Sequence, residues 1–151
     1  MHHIQSAAMR EKTIAAIKEL NPVAFILTEP NVNHYESDFV KRFQNSFRHF
    51  HCLFKVIDNL DIENNMKNGL KLFFGREIED IIGKPEADRF EKHAPASQWI
   101  SMLKQNNFAV KNALLAEAFV ASPGVEINYF DEGYVGFTFD NETALALIYA
   151  N

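Results

Sequence analysis

Six residues constrain the fold of this chain more than any others: Val23-Ala24-Phe25-Ile26-Leu27-Thr28, set between Pro22 and Pro30. A continuous apolar run between chain breakers reads as a strand covered on both faces, the pattern of a parallel strand. A parallel strand needs a neighbour reached through a crossover, usually a helix. Ser6 to Leu20 reads as that helix, with Met9, Ala16, Ile17 and Leu20 on its apolar side and Pro22 forbidding continuation. The neighbouring strand would then precede the helix, where only Met1 to Ile4 stand. The expectation is a single partial domain over residues 1–151, lacking the N-terminal half of its fold. Its open strand edge would pair with that missing half or with another chain.

The remaining pattern divides in two. Ser37 is placed to cap a long helix whose apolar positions step by three and four: Phe39, Val40, Phe43, Phe47, Phe50, Phe54, Ile57 and Leu60. A further helix is expected from about Ile62 to Ile82, ended by Gly83 and Pro85, then a short charged helix from Glu86 to His93. Another, from Ser97 to Gln105, buries Trp99, Met102 and Leu103. Phe108 to Lys111 reads as a short strand and Ala113 to Ala121 as a short helix. Val125 to Phe130 and Tyr134 to Phe139 alternate around Asp131-Glu132-Gly133, which makes a hairpin, and a turn at Asn141 to Thr143 leads into a last strand, Ala144 to Tyr149. The fold class is α/β with an antiparallel C-terminal end.

Composition narrows the function. Fourteen phenylalanines among 151 residues supply a core, and a net charge of −5 argues against direct binding to nucleic acid phosphates. Cys52 stands alone, so no disulfide forms within the chain. No apolar run approaches the length that crosses a bilayer, and the opening MHHIQSAAMREK is too polar for a secretory signal. No membrane partner is expected, and the expected location is cytoplasmic, or nuclear in a eukaryote. His49, His51 and Cys52 lack the i, i+4 spacing of a metal-binding helix, and no metal site is expected from them. Neither a Gly-x-Gly-x-x-Gly turn, a P-loop nor a nucleophile elbow occurs.

An ordered series of short motifs resembles the C-terminal half of the GRAS domain, found in plant regulatory proteins and bacterial relatives. The series begins with Met1-His2-His3-Ile4, then Asn21-Pro22 and the apolar strand with Glu29 and Asn33-His34. It continues with Phe39, Arg42-Phe43, Phe50 and Leu53-Phe54, and with Gly75-Arg76-Glu77-Ile78. Arg89-Phe90-Glu91, His93, Trp99, Leu103 and Asn107-Phe108 complete it. Lys55 departs from the family's aspartate, the aromatic pair is His49-Phe50, and the closing Ser-Ala-Trp is absent, as are the family's N-terminal motifs. The resemblance implies the C-terminal part of a doubly wound, Rossmann methyltransferase-like sheet with helical cap elements. It implies a binding or regulatory role, with a protein or small-molecule partner. It also leaves two alternatives: part of an S-adenosylmethionine-dependent small-molecule methyltransferase, or a protein-interaction module in transcription. No cofactor is expected on this chain itself; S-adenosylmethionine would belong to a fuller protein, and this chain alone is expected to be inactive.

Two sets of residues are candidate sites. Glu29, Asn31, Asn33 and His34 follow the apolar strand, and ligands of open α/β sheets gather beyond the carboxyl ends of strands. Glu29 would bind an amine or hydroxyl, Asn33 would give and accept hydrogen bonds, and His34 would act as a base. The competing reading is that Glu29 and Asn33 satisfy loop amides while His34 packs beneath the cap. Arg76, Glu77, Arg89 and Glu91 form the second set, either as ion pairs that lock cap to core or as an anion-binding group. The Phe series reads as core first, with a partner surface as the alternative.

Overall fold

The computed structural model describes residues 4, 6–111 and 122–151. It contains helices α1 (Ala7–Glu19), α2 (Phe39–Asn59), α3 (Asn64–Ile78) and α4 (Ala96–Gln105). Its strands are β1 (Phe25–Pro30), β2 (Val110–Lys111), β3 (Glu126–Phe130), β4 (Tyr134–Phe139) and β5 (Glu142–Ala150). The expected helix over Ala113 to Ala121 lies outside the described residues, as do Met1, His2 and His3.

The sheet runs β1-β5-β4-β3, with β2 pairing the end of β5, and every pairing is antiparallel. This corrects one expectation. β1 has the apolar content of a parallel strand, yet its neighbour here is β5, in the register Phe25↔Ala150 to Pro30↔Leu145. Apolar content says nothing of the direction of the adjoining chain, and only the face of Leu27 and Glu29 is buried here, while Ile26 and Thr28 are exposed. The hairpin forms as the sequence predicts, with Gly133 at φ 110 and its N–H donating to the Phe130 carbonyl. Asp140 and Asn141 turn β4 into β5 with φ of 52 and 63, the two left-handed positions of a type I′ turn. Gly136 is required by contact: a Cβ there would lie 2.6 Å from both Phe130 and Thr143 side-chain atoms.

The main core lies between this sheet and helices α1 and α4. Ile14, Leu27, Trp99, Leu103, Phe108 and Ile148 meet there, and alternation along β5 sends Ala146, Ile148 and Ala150 to the same cluster. A smaller cluster of Val135 and Leu147 packs with Ile127, Phe137 and Tyr149. In α1 the buried positions are Arg10 and Ile14, and Ile17 packs against the core as expected, whereas Met9, Ala16 and Leu20 are exposed, so the inward face is turned from the one expected. Arg10 is kept inside by donating to the Ile4 and Lys92 carbonyls, and its guanidinium lies over the rings of Tyr35 and Trp99.

Helix α2 carries the largest correction. Asp38, rather than Ser37, is its cap, accepting from the Lys41 N–H at 3.0 Å. Its buried positions include Arg42, Ser46 and His49, while Phe39, Val40, Phe43 and Phe47 are 48–61% exposed. Arg42 is the anchor: it donates to the carbonyls of Ile81, Glu36 and Ser37. Buried carbonyls at a loop and a helix end need donors, and a guanidinium supplies several in one plane. Phe50 and Ile57 are buried farther along, as expected of the apolar face, and Cys52 is buried with them.

The Glu86 to His93 segment also differs from its expected helix. Only Glu86–Asp88 makes a single 3-10 turn, and the chain then extends to α4. Its backbone groups find partners elsewhere. Asp80 accepts from the Phe90 and Glu91 N–H groups at 2.7 and 2.8 Å, and the His93 carbonyl accepts from the His34 N–H. α3 ends in a π turn, Glu79–Gly83, which carries buried Asp80 and Ile81 to these contacts.

Candidate functional site

A cavity of about 590 Å³ opens where the carboxyl end of β1, the start of β5, α2, α3 and the Glu91–His93 segment converge. Pro30 and Leu145 form its floor on the sheet side, a pair opposite one another in the β1–β5 register. His49 and Leu53 come from α2; Phe73, Phe74, Arg76 and Glu77 come from α3. Asp80, Lys84, Glu91 and His93 complete the lining. The wall is therefore apolar over Phe73, Phe74, Leu53 and Leu145, with charges of both signs gathered at one end.

The two predicted residue sets separate at this cavity. Arg76, Glu77 and Glu91 line it. Arg89 is buried, donates to the His34 carbonyl at 2.9 Å and pairs with Glu86, so it holds the loop. Of the first set, Asn31 accepts from the Ala96 N–H at 2.9 Å and so supplies an acceptor at the start of α4. Asn33 accepts from the Tyr35 N–H in an Asx turn, and its carbonyl accepts from the Asn45 side chain. Glu29, 3% exposed, shares the strand face of Leu27, and its charge acts on Arg10. The cavity opens at the strand end that the sequence singled out, while the loop's own polar groups serve its backbone and the helices next to it.

His34 belongs to a cluster that spacing did not reveal. His34, His49 and His93 come from the loop after β1, from α2 and from the segment before α4, and all three are buried. The Nδ1 atoms of His34 and His93 lie 2.8 Å apart, and the His34 ring stacks on Phe50. His49 meets His34 edge-on at 6.0 Å between centroids and lies 6.3 Å from His93. Burial, then the fields of His93, His49, Arg89 and Arg42, depress the His34 pKa to about 2. Burial and His93 depress that of His49 to about 3. Both rings are neutral at physiological pH. His34 Nε2 and His49 Nδ1 have no hydrogen-bond partner among the described residues.

Around His93 the acidic groups close in. Its Nε2 lies 3.4 Å from Glu91 Oε2, and donor atoms of Glu77, Glu91 and His93 all fall within 4.8 Å of one another. Asp80, beside them, pairs with Lys84. Burial raises the Asp80 pKa, but the Glu91 N–H, Lys84 and the Phe90 N–H outweigh it, and the net shift is downward. His51 is exposed, and the Cys52 thiol donates weakly to the Phe139 and Glu142 carbonyls, so neither joins His49 in this cluster.

Fold and cavity together define an α/β chain with an antiparallel sheet and a helix-lined pocket at a strand end. The chain belongs to the GRAS domain family, which matches residues 1–145. It is similar to Scarecrow-like protein 28 of Arabidopsis thaliana, 31% identical over 104 residues, covering 68% of this chain and 16% of that protein. It is also similar to DELLA protein GAIP of Cucurbita maxima, 28% identical over 65% of this chain and 17% of that protein. Scarecrow-like protein 18 of Arabidopsis thaliana aligns over 80% of this chain and 28% of its own length, at 27% identity. The chain therefore spans well under a third of the curated relatives it matches. The crystal structure of SCL7 in Oryza sativa has a similar fold, with a TM-score of 0.83 at 18% identity, over 97% of this chain and 44% of that one. Among the described residues no helix is long and apolar enough to cross a membrane.

Proposed function

We propose that this chain is the ligand-binding wall of a GRAS-type regulatory domain. The observation that carries the reading is the 590 Å³ cavity, whose apolar side chains lead to a charged end bearing Arg76, Lys84, Glu77 and Glu91. Pockets of a few hundred cubic ångströms, mostly apolar with a few convergent polar groups, are the usual form of small-molecule sites. The ligand class that fits is a small molecule with an apolar body and an anionic head. Phe73 and Phe74 would hold the body and Arg76 the head. His34 acts from behind the wall, through His93. The test is a thermal-shift and calorimetric screen of aromatic and medium-chain carboxylates, phenylacetate and octanoate among them, in buffer containing EDTA. A saturable shift that is lost in Arg76→Gln is expected. Absence of any shift at 10-fold the highest tested physiological concentration range, on the order of millimolar, would overturn the pocket reading.

A second reading has its own observation. The exposed stripe Phe39, Val40, Phe43 and Phe47 on α2 supports a protein-interaction role in transcription, with a nuclear location. Its occupant would be protein: the remainder of a GRAS-type fold, on the same chain or another. A doubly wound, methyltransferase-like sheet in the fuller protein would seat a parallel strand on the outer edge of β1, which ends the strand order among the described residues. S-adenosylmethionine would then bind residues outside this chain. Calorimetric titration of the fuller protein with S-adenosylmethionine tests that alternative, and no heat at millimolar ligand would remove it.

A further inference from the structure

We propose that Glu77, Glu91 and His93 form a binding site for one divalent transition-metal ion, with His34 as the positioning residue behind His93. The proposal uses the cavity of the preceding section but not its organic ligand.

The distance between His93 Nε2 and Glu91 Oε2 is the first argument. At 3.4 Å it is longer than an ordinary N–H···O hydrogen bond, which prefers about 2.7–3.2 Å. It matches the edge of a tetrahedron around zinc: bonds of about 2.0–2.2 Å to nitrogen and oxygen put neighbouring ligands about 3.3–3.5 Å apart. Glu77, on α3 and only half-buried, brings a carboxylate oxygen within 4.8 Å of both from the cavity wall.

The second argument is the tautomer that the neighbouring rings allow. The 2.8 Å contact between the two Nδ1 atoms requires one of them to carry the proton. If His34 carries it, His93 has its own proton on Nε2, facing Glu91. If His93 carries it, the Nε2 lone pair faces the Glu91 carboxylate, and two electron-rich atoms oppose each other unless a cation lies between them. A metal-ligating histidine commonly donates its other ring N–H to a neighbour that fixes its orientation. His34 Nδ1 is placed to accept that proton. The His34 proton then moves to Nε2, so the number of protons on the pair is unchanged.

The third is His49. It lines the same cavity, is 1% exposed, and its Nδ1 has no partner among the described residues. It stands beyond the ligand set, its ring centroid 6.3 Å from that of His93. Two cations, Arg76 and Lys84, line the same cavity, and Lys84 is engaged by Asp80, which limits its repulsion of an ion. One imidazole and two carboxylates suit zinc and its first-row neighbours better than magnesium or calcium, which prefer oxygen ligands in larger number.

The experiment is calorimetric titration of the EDTA-treated, desalted chain with ZnCl2, with MgCl2 as the control. It is followed by 15N NMR of the histidine rings. One equivalent of zinc per chain is expected, with weakening of about tenfold or more in Glu91→Gln and Glu77→Gln, and about 10–100-fold in His34→Gln. Zinc is expected to move the ring proton of His34 from Nδ1 to Nε2, a readout that needs no variant to fold. Stoichiometric zinc that leaves the His34 and His93 ring signals unmoved would overturn the proposal. So would unchanged affinity in the folded double variant Glu77→Gln/Glu91→Gln, or no zinc uptake. Failure here leaves the carboxylate screen in EDTA unaffected, so the two readings fail separately.

Discussion

Helices α4 and α2 bury different things. α4 sets Trp99, Ile100 and Leu103 into the core against β5 and leaves Ser97 and Gln98 in water. The first half of α2 sets Arg42, Ser46 and His49 inward and leaves Phe39, Phe43 and Phe47 out. Both obey the three-and-four spacing of an amphipathic helix. Period alone fixes which residues share a face; what the face meets decides whether it is buried. α4 meets a sheet, which offers apolar side chains and few free backbone groups. α2 meets a loop and a helix end, which offer carbonyls needing donors.

That difference sets an order of effects. Trp99→Ala is the most severe change, expected to destabilise by about 3–5 kcal/mol in urea unfolding, because it empties a fully buried volume. A loss below about 1 kcal/mol would show that α4 packs less tightly than described. Arg42→Met keeps much of the side-chain length but strips the donors from the Ile81, Glu36 and Ser37 carbonyls. A loss of about 1.5–3 kcal/mol is expected, and a neutral result would mean that water replaces the guanidinium.

Acid probes the same polar wall. His34 and His49 have folded pKa values of about 2 and about 3, below the ordinary 6.5. Between those values and 6.5 the unfolded chain binds protons that the folded chain refuses. Stability contributed by the two rings is therefore full above 6.5 and is lost as pH falls below it. Each ring adds up to about 1.4 kcal/mol per pH unit to the slope. Urea unfolding between pH 7 and pH 5 should show the decline, and His34→Gln should flatten it by about one proton. A profile unchanged by that variant would place the acid sensitivity elsewhere, for example on His49.

The smallest effect is expected on the outward face of α2. Phe47→Ser should change stability by no more than about 0.5 kcal/mol, since the side chain is 61% exposed. Its effect should appear in sedimentation or light scattering, as reduced self-association. A large loss of stability would return the Phe stripe to the core and close the contrast with α4.

Much of the fold was legible where local chemistry is decisive. The β3–β4 hairpin follows from alternation around Asp131-Glu132-Gly133; the limits of α1 differ from those read in the sequence by a residue at either end, and those of α4 by one residue at its start. Legibility ended where a segment's backbone is satisfied from a distance. Residues 89–93 have charged, helix-compatible composition, but Asp80, His34 and Arg10 take up their backbone groups, and the segment stays extended. The candidate site divides likewise. The strand-end rule pointed to the end of β1 beside which the cavity opens, and Arg76, Glu77 and Glu91 of the second set line that cavity. His49 and His93 were present in the motif series without a stated role, because 44 residues separate them in sequence and only α2 packing against the segment before α4 brings their rings within 6.3 Å.

The sequence by itself determined the α/β class, the family, the hairpin and the apolar strand between Pro22 and Pro30. These depend on local spacing, on turn chemistry and on the order of motifs along the chain. The tertiary structure decided that β1 runs antiparallel to β5, that α2 turns its arginine inward, and that three histidines meet beside two glutamates. Those outcomes depend on which backbone groups lack partners after the chain has collapsed. An unsatisfied buried carbonyl can outweigh the burial of a phenylalanine ring, and only the assembled fold shows where such carbonyls lie.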